Sequence, residues 1–221
     1  KAIKIPEGIT TEQAAAAMLQ GMTAHYLVES TFAIKAGHTA LVHAAAGGVG
    51  QLLCQMIAHK GATPIATVST QAKADIARAA GAAHVIRYDS EDVVSRVKEI
   101  TGGIGVDVVY DGVGKDTFDA SLASLKPRGM MALYGAASGP VPAFDLQRLN
   151  AGGSLFITRP SLGHYLLTRA EFEWRAGDIF RWIADGTLRI DIGAAFPLAD
   201  AAAAHDALEG RKTTGKVLLI P

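Results

Sequence analysis

The sequence has few of the residues that support disulfide, metal and polyanion chemistry. It carries one cysteine, Cys54, in 221 residues, which excludes an intrachain disulfide and a multi-thiolate metal site and fits a reducing compartment. Lys plus Arg number 21 and Asp plus Glu number 21, so no net field exists to hold a nucleic-acid backbone or an anionic membrane. A charged ligand must then be caught locally. No charged-then-apolar leader opens the sequence, so the cytoplasm is the expected compartment. Residues 36–59 contain no charged side chain, a length that invites a membrane span. Gly47, Gly48, Gly50, His43, Gln51 and Gln55 interrupt that stretch, and strand, glycine turn and helix explain it better. What remains is 49% hydrophobic and 19% charged, enough apolar surface for a substantial core.

The patterning predicts strands alternating with helices. Thr10 and Gln13 offer a capping box for a helix running toward Val28. Strands are expected over 39–44, 64–68, 84–87, 106–110, 130–134 and 155–158. Helices are expected over 51–60, 71–80, 91–100 and near 116–125, the first three closed by Gly61, Gly81 and Gly102-Gly103. Such βαβ units build an α/β, doubly wound parallel sheet covered on both faces, the Rossmann fold. Three parts follow: a flank and linking helix over 1–35, the dinucleotide-binding domain over 36–160, and helices and closing strands over 161–221. In that last part a helix is expected near 170–184, a strand near 188–192, a helix near 199–208 and a strand over 217–220. The strands at the two ends, 1–6 and 217–220, have no evident partner, which suggests a missing domain that pairs with them.

The strongest chemical signal is Ala44-Ala45-Ala46-Gly47-Gly48-Val49-Gly50, set between the first sheet strand and its helix. Glycines there let backbone N–H groups approach a pyrophosphate at the helix N-terminus, where the dipole contributes about 0.3–1 kcal/mol. A tight turn with close helix packing is the bland alternative. The next strand ends in Ser69-Thr70-Gln71-Ala72-Lys73, with no carboxylate to grip a ribose 2′-hydroxyl or repel a 2′-phosphate. Ser69 can donate to that phosphate, Lys73 can reach it as a point charge, and Tyr88 lies next door. A charged hydrogen bond of this kind is worth about 1.5–3 kcal/mol, so NADPH is expected over NADH.

Other templates fail. None of the five tyrosines is followed four residues later by lysine, and no G-x-S-x-G elbow occurs. The 210–216 stretch resembles a P-loop until Val217 replaces the metal-binding Ser or Thr. The seven histidines lack H-E-x-x-H spacing, and Cys54 sits among Leu52, Leu53, Met56 and Ile57, so all are expected in packing or at the surface and no metal site is expected.

Several segments together carry a family resemblance: Gly21-Met22-Thr23-Ala24, His43 through Gly50, Lys98 through Gly103, Val109-Tyr110-Asp111-Gly112-Val113-Gly114, Thr158-Arg159-Pro160-Ser161-Leu162 and the closing Leu218-Leu219-Ile220-Pro221. The chain resembles zinc-independent, zeta-crystallin-like quinone oxidoreductases of the medium-chain dehydrogenase/reductase superfamily. The resemblance implies a cofactor domain flanked by pieces of a second, largely missing GroES-like catalytic domain. It implies that Gly47, Gly48 and Val49 face the pyrophosphate and that Ser69, Lys73 and Tyr88 surround the 2′-phosphate. Gly112 and Val113, then Tyr134, Gly135 and Ala136, would line the channel to the nicotinamide. Thr23, Tyr26, Leu162 and Arg211 would approach from the flanks. It further implies hydride transfer from NADPH to a quinone or conjugated carbonyl, with no catalytic side chain required of this chain, and a homodimer through the edge strand at residues 154–158. Enoyl or enone reduction and non-catalytic NADPH binding are the alternatives.

Overall fold

The computed structural model describes residues 2–210 and 213–221. Helix α1 (Thr11–Tyr26) starts from the capping box of Thr10 and Gln13 and continues as a π-turn, Leu27–Thr31. Then come β1 (Thr39–Val42), α2 (Gly48–His59), β2 (Thr63–Val68), α3 (Gln71–Ala79), β3 (His84–Arg87), α4 (Val93–Ile100), β4 (Val106–Asp111), α5 (Phe118–Ser124) and β5 (Leu125–Leu133). A short α6 (Gln147–Ala151) leads to β6 (Phe156–Thr158), and α7 (Arg169–Ala184), β7 (Ile192–Pro197), α8 (Ala201–Glu209) and β8 (Lys216–Ile220) complete the chain. Strands β1 to β6 form one parallel sheet in the order β3-β2-β1-β4-β5-β6. The order reverses between β1 and β4, and in such sheets the crevice outside the carboxyl ends at that reversal is the binding place.

Both faces of the sheet are buried, which is why its strands read as near-continuous apolar runs. Ala40, Val42, Val108 and Tyr110 point into one core with Leu53, Ile57, Ala74, Ala77 and Ile179 of α2, α3 and α7. Their neighbours Leu41 and Val109 point the other way, to Val97, Phe118 and Leu122 of α4 and α5. A third cluster, with Ala14, Met22, Phe172, Ala176 and Phe180, joins α1 to α7. No helix of the described residues is long and apolar enough to cross a membrane.

The C-terminal expectations need correcting. The strand placed near 188–192 begins only at Ile192 and runs to Pro197, and β8 pairs with it in parallel. The closing strand is therefore not an orphan. Gly193-Ala194-Ala195 are weak strand formers, so β7 has no sequence signature of its own and is held by pairing. Residues 2–6 form no strand.

The seam between α1 and α7 is polar at its centre. Arg175 is 1% exposed; it donates to Tyr165 O at 2.9 Å, His25 Nδ1 at 3.1 Å and Ser30 Oγ at 3.0 Å. Its guanidinium also lies 4.7 Å from the Trp174 ring centroid. Arginine only donates, so His25 Nδ1 must accept, and Nε2–H then donates to Asp178 Oδ2 at 3.0 Å. Arg175→Ala leaves three acceptors at this seam without their donor, and in urea unfolding of the intact protein it is expected to cost about 3 kcal/mol. Thr168→Ala, which removes the capping box of α7 with Glu171, is expected to cost about 1 kcal/mol in the same measurement. Equal losses would show that the Arg175 bonds contribute no more than a cap.

Candidate functional site

Five residues, 43–47, carry the chain from β1 to α2. Ala44 has φ 51°, a left-handed conformation that costs an alanine about 1 kcal/mol and is held by its surroundings. Gly47 N–H donates to Ala44 O at 2.9 Å and Ala45 N–H to Thr67 O at 3.2 Å, while the buried Gln51 amide donates to Ala46 O at 2.9 Å. A Cβ on Gly50 would lie 2.6 Å from Ala45 Cα and closer still to Ala44 O, so helix and turn meet backbone to backbone. Gly47 is the N-cap of α2, and among the described residues no side chain caps it. The first turn of α2 has no acidic residue either. Its leading N–H groups and the positive end of its dipole thus have no internal anion, an arrangement that fits a pyrophosphate, and the backbone of Gly215 bridges to Gly47 beside them. The nearest obstacle at Gly48 is the side-chain amide of Gln20, the movable end of a flexible group.

At the end of β2, Lys73 Nζ donates to Ser69 Oγ at 3.4 Å, and Thr70 caps α3 by accepting from Lys73 N–H. Tyr88 N–H donates to Val68 O at 3.1 Å, which sets the half-exposed Tyr88 beside Ser69. Ser69, Lys73 and Tyr88 therefore share one end of the β2–β3 pair. The carboxylates that follow are occupied: Asp89 pairs with Arg87 at 2.7 Å, and Glu91 accepts Arg87 N–H at 2.8 Å.

After β4 and β5 two loops are fastened together. Tyr134 N–H donates to Asp111 O at 2.8 Å, Ala137 N–H to Gly112 O at 3.2 Å and Ser138 N–H to Val113 O at 2.8 Å. A Cβ on Gly112 would sit 2.8 Å from the Tyr134 ring, so this wall offers backbone at Gly112 and Gly135. Ala136 is exposed, and Val113 and Tyr134 are partly so. Burial pushes the Tyr134 phenol far above its ordinary pKa, with Asp111 adding to the effect.

The flanks differ from one another. Tyr26 is 2% exposed and stacks on Tyr165 at 4.4 Å between centroids; burial pushes its phenol up to about 12. Thr23 Oγ1 donates to Leu19 O at 2.7 Å. Leu162, partly buried, opens a 3-10 turn, Leu162–Tyr165. Arg211 lies outside the described residues. Cys54 is buried and its thiol is pushed up to about 12, which fits packing rather than nucleophilic work. Among the described residues no group of three or more His, Cys, Asp or Glu converges as a metal-ligand set.

Sequence reasoning missed the polar network below the turns. Asp111 Oδ1 accepts from Val113 N–H at 2.8 Å and Gly114 N–H at 3.0 Å. Its Oδ2 accepts from Thr117 Oγ1 and Ser121 Oγ, both at 2.7 Å. His43 Nε2 lies 3.0 Å from Ser121 Oγ, and Nδ1 lies 2.9 Å from Thr67 Oγ1. All four of Asp111, Ser121, His43 and Thr67 are buried. The available signal was a polar residue at the carboxyl end of each of three apolar strands.

Comparison with known proteins identifies the family. A model of the zinc-binding dehydrogenase family matches residues 48–175. Quinone oxidoreductase 1 of Escherichia coli strain K12 is 48% identical over all of this chain and 68% of its own length. A 2-haloacrylate reductase from a Burkholderia species is 46% identical over all of this chain and 67% of its own. The structure of a mycobacterial protein complexed with NADPH superposes with a TM-score of 0.95 at 53% identity, covering 98% of this chain and 67% of that one. The chain belongs to the zinc-binding dehydrogenase family, in its quinone oxidoreductase branch, and spans about two thirds of the length of these relatives. The zinc in the family's description finds no ligand set among the described residues.

Two outcomes follow. Gly50→Ala drives a Cβ into backbone and is expected to cost about 1–3 kcal/mol of stability, whereas Gly48→Ala displaces only the end of Gln20 and is expected to cost less than about 1 kcal/mol; thermal unfolding of both variants checks the order. The second concerns pH. Burial holds His25 and His43 below the ordinary histidine pKa, opposed by the Asp178 hydrogen bond at His25, where Arg175 adds to the lowering, and by Asp111 at His43. The unfolded chain then binds protons that the folded chain refuses. Stability is complete above about pH 6.5 and falls as pH drops below it, by up to about 1.4 kcal/mol per pH unit for each histidine. Urea titrations at pH 7.5 and 5.5 measure this, and equal midpoints would contradict it.

Proposed function

We propose that the intact protein is an NADPH-dependent quinone oxidoreductase and that this chain forms its cofactor-binding part. The observation that carries the reading is the pairing of an uncapped glycine turn with an acid-free β2 end, where Ser69, Lys73 and Tyr88 stand together. NADPH, when bound, supplies the hydride. The chain's own work is then binding and orientation. The turn at Gly47 and the N–H groups at Gly48 and Val49 would receive the pyrophosphate. Ser69 and Lys73 would take the 2′-phosphate, with Tyr88 alongside. Backbone at Gly112, Val113, Gly135 and Ala136, with the Tyr134 ring behind it, would direct the nicotinamide end along the loops after β4 and β5. Leu162 would close the cleft from the flank, and Tyr26 would support that side from beneath its stack with Tyr165.

The proposal extends to assembly and location. Strand β6 is a sheet edge with Phe156 55% exposed, and antiparallel pairing of two such edges would cover it in a homodimer. A lone buried cysteine suits the reducing cytoplasm. The acceptor has a second reading, because one close relative is named for 2-haloacrylate reduction; both acceptors are activated carbon–carbon double bonds conjugated to a carbonyl or carboxylate.

The deciding experiment titrates the intact protein with NADPH and NADH. Lys73→Ala is expected to weaken NADPH binding by about one to two decades and leave NADH nearly unchanged. Equal losses would assign Lys73 to the fold. Turnover with quinones, enones and haloacrylates then separates the acceptors, and tight NADPH binding with no turnover on any of them would favour a binding protein.

A further inference from the structure

We infer that Asp111 is a positioning residue for the dinucleotide cleft: its buried carboxylate fixes the 112–114 turn and, through Ser121 and His43, ties it to the 43–47 turn. The inference rests on the dinucleotide reading above and carries it to residues that do not reach the cleft surface.

Hydrogen counting fixes the direction of every bond in the network. A carboxylate only accepts, so the single hydroxyl hydrogen of Ser121 goes to Asp111 Oδ2, 2.7 Å away. Ser121 Oγ must then accept from His43, so Nε2 carries the imidazole hydrogen across the 3.0 Å contact. Neutral His43 is left with Nδ1 as acceptor, and Thr67 Oγ1 donates to it over 2.9 Å. The chain of donors thus runs from Thr67 to His43 to Ser121 to Asp111. Each end of it terminates on a turn that faces the crevice. At one end the backbone of Thr67 holds Ala45 N–H, and His43 is itself the first residue of that turn. At the other, Asp111 Oδ1 holds Val113 N–H and Gly114 N–H. Thr117 supplies the remaining donor to Oδ2, so the carboxylate is held by two amides and two hydroxyls.

A carboxylate is suited to this place because all its partners donate. Asparagine at 111 can still accept the two turn amides, but as a neutral oxygen, and its Nδ2 faces two hydroxyls. Ser121 must then turn its hydrogen to His43 Nε2, which moves the imidazole hydrogen to Nδ1 and reverses the chain. The substitution therefore has a spectroscopic signature separate from any effect on stability.

The test uses the intact protein with Asp111→Asn, Thr117→Val and, as a control for lost stability alone, Thr168→Ala at the distant cap of α7. Dissociation constants for NADPH and NADH are measured well below each melting temperature, and the His43 tautomer is read from imidazole nitrogen chemical shifts. Asp111→Asn is expected to raise both dissociation constants about tenfold, since it acts on a part of the cleft shared by the two cofactors. Thr117→Val is expected to raise both about two- to threefold and Thr168→Ala neither. The unsubstituted protein is expected to show His43 with hydrogen on Nε2, and Asp111→Asn to show it on Nδ1. Unchanged dissociation constants in Asp111→Asn, or a loss confined to NADPH, would overturn the inference, as would an Nδ1–H tautomer in the unsubstituted protein. If Asp111→Asn does not fold, Thr117→Val decides, and unchanged binding there overturns it. Failure of the unsubstituted protein to bind either dinucleotide would overturn the cofactor reading, and this inference with it.

Discussion

The close approach of α2 to the turn that precedes it is the constraint on which the crevice depends. Helix and turn touch where Gly50 meets the backbone of Ala44 and Ala45, so neither can shift without the other. That contact goes with the left-handed conformation of Ala44 and fixes the start of α2, which no side chain among those described caps and to which the 215 backbone bridges at Gly47. Burying an uncapped helix start would cost orphaned donors. Leaving it at the mouth of a crevice turns the same donors into an anion site.

The parallel sheet sets what surrounds that start. Because helices cover both faces, the carboxyl ends of the strands are where polar groups can collect, and the reversal of order between β1 and β4 opens the space there. The polar ends of β1, β2 and β4 meet in one network of His43, Thr67 and Asp111 closed by Ser121. On the flank, Arg175 holds the carbonyl of Tyr165, and the Tyr165 ring stacks on Tyr26. One helix pair thereby fixes the position of the 162–165 turn relative to the sheet.

Features encoded by neighbours in sequence were legible, and features encoded by register were not. The glycine turn, the missing acid after β2 and the order of strands and helices from β1 through β5 follow from local spacing, because turn geometry and amphipathic period are properties of a few adjacent residues; the short α6 before β6 has no such signal. The closing strand lies where its apolar run puts it, whereas β7 lies beyond its expected place because Gly193-Ala194-Ala195 has no strand preference and depends on its partner. The family resemblance implies that Tyr26 approaches the cofactor from the flank, and its side chain is buried against Tyr165; a stack across 139 positions leaves no local trace. Asp111 lies within a segment that carries the family resemblance, and nothing local marks its role. Its partners Val113 and Gly114 are adjacent, but His43 and Thr67 reach it only through the parallel register of β1 with β2 and β4.

The two buried histidines show how a chain with no net charge can keep charge inside. Asp111 is an anion held by neutral donors, and Arg175 a cation holding neutral acceptors, so neither depends on a matched ion pair that would have to be desolvated as a unit. In both places a histidine passes hydrogen-bond direction toward a carboxylate: His43 through Ser121 to Asp111, and His25 directly to Asp178. Each imidazole carries its hydrogen on Nε2, in His43 because Ser121 Oγ must accept there and in His25 because Arg175 can only donate to Nδ1. Protonation of either ring would set a donor against a donor at Nδ1. Thr67 can answer by rotating its hydroxyl, whereas a guanidinium has no lone pair to offer. Acid therefore strains the α1–α7 seam more directly than the network under the cleft. The seam governs the flank carrying Leu162, while the network governs the two turns, and the two halves of the crevice are thereby set by separate polar centres.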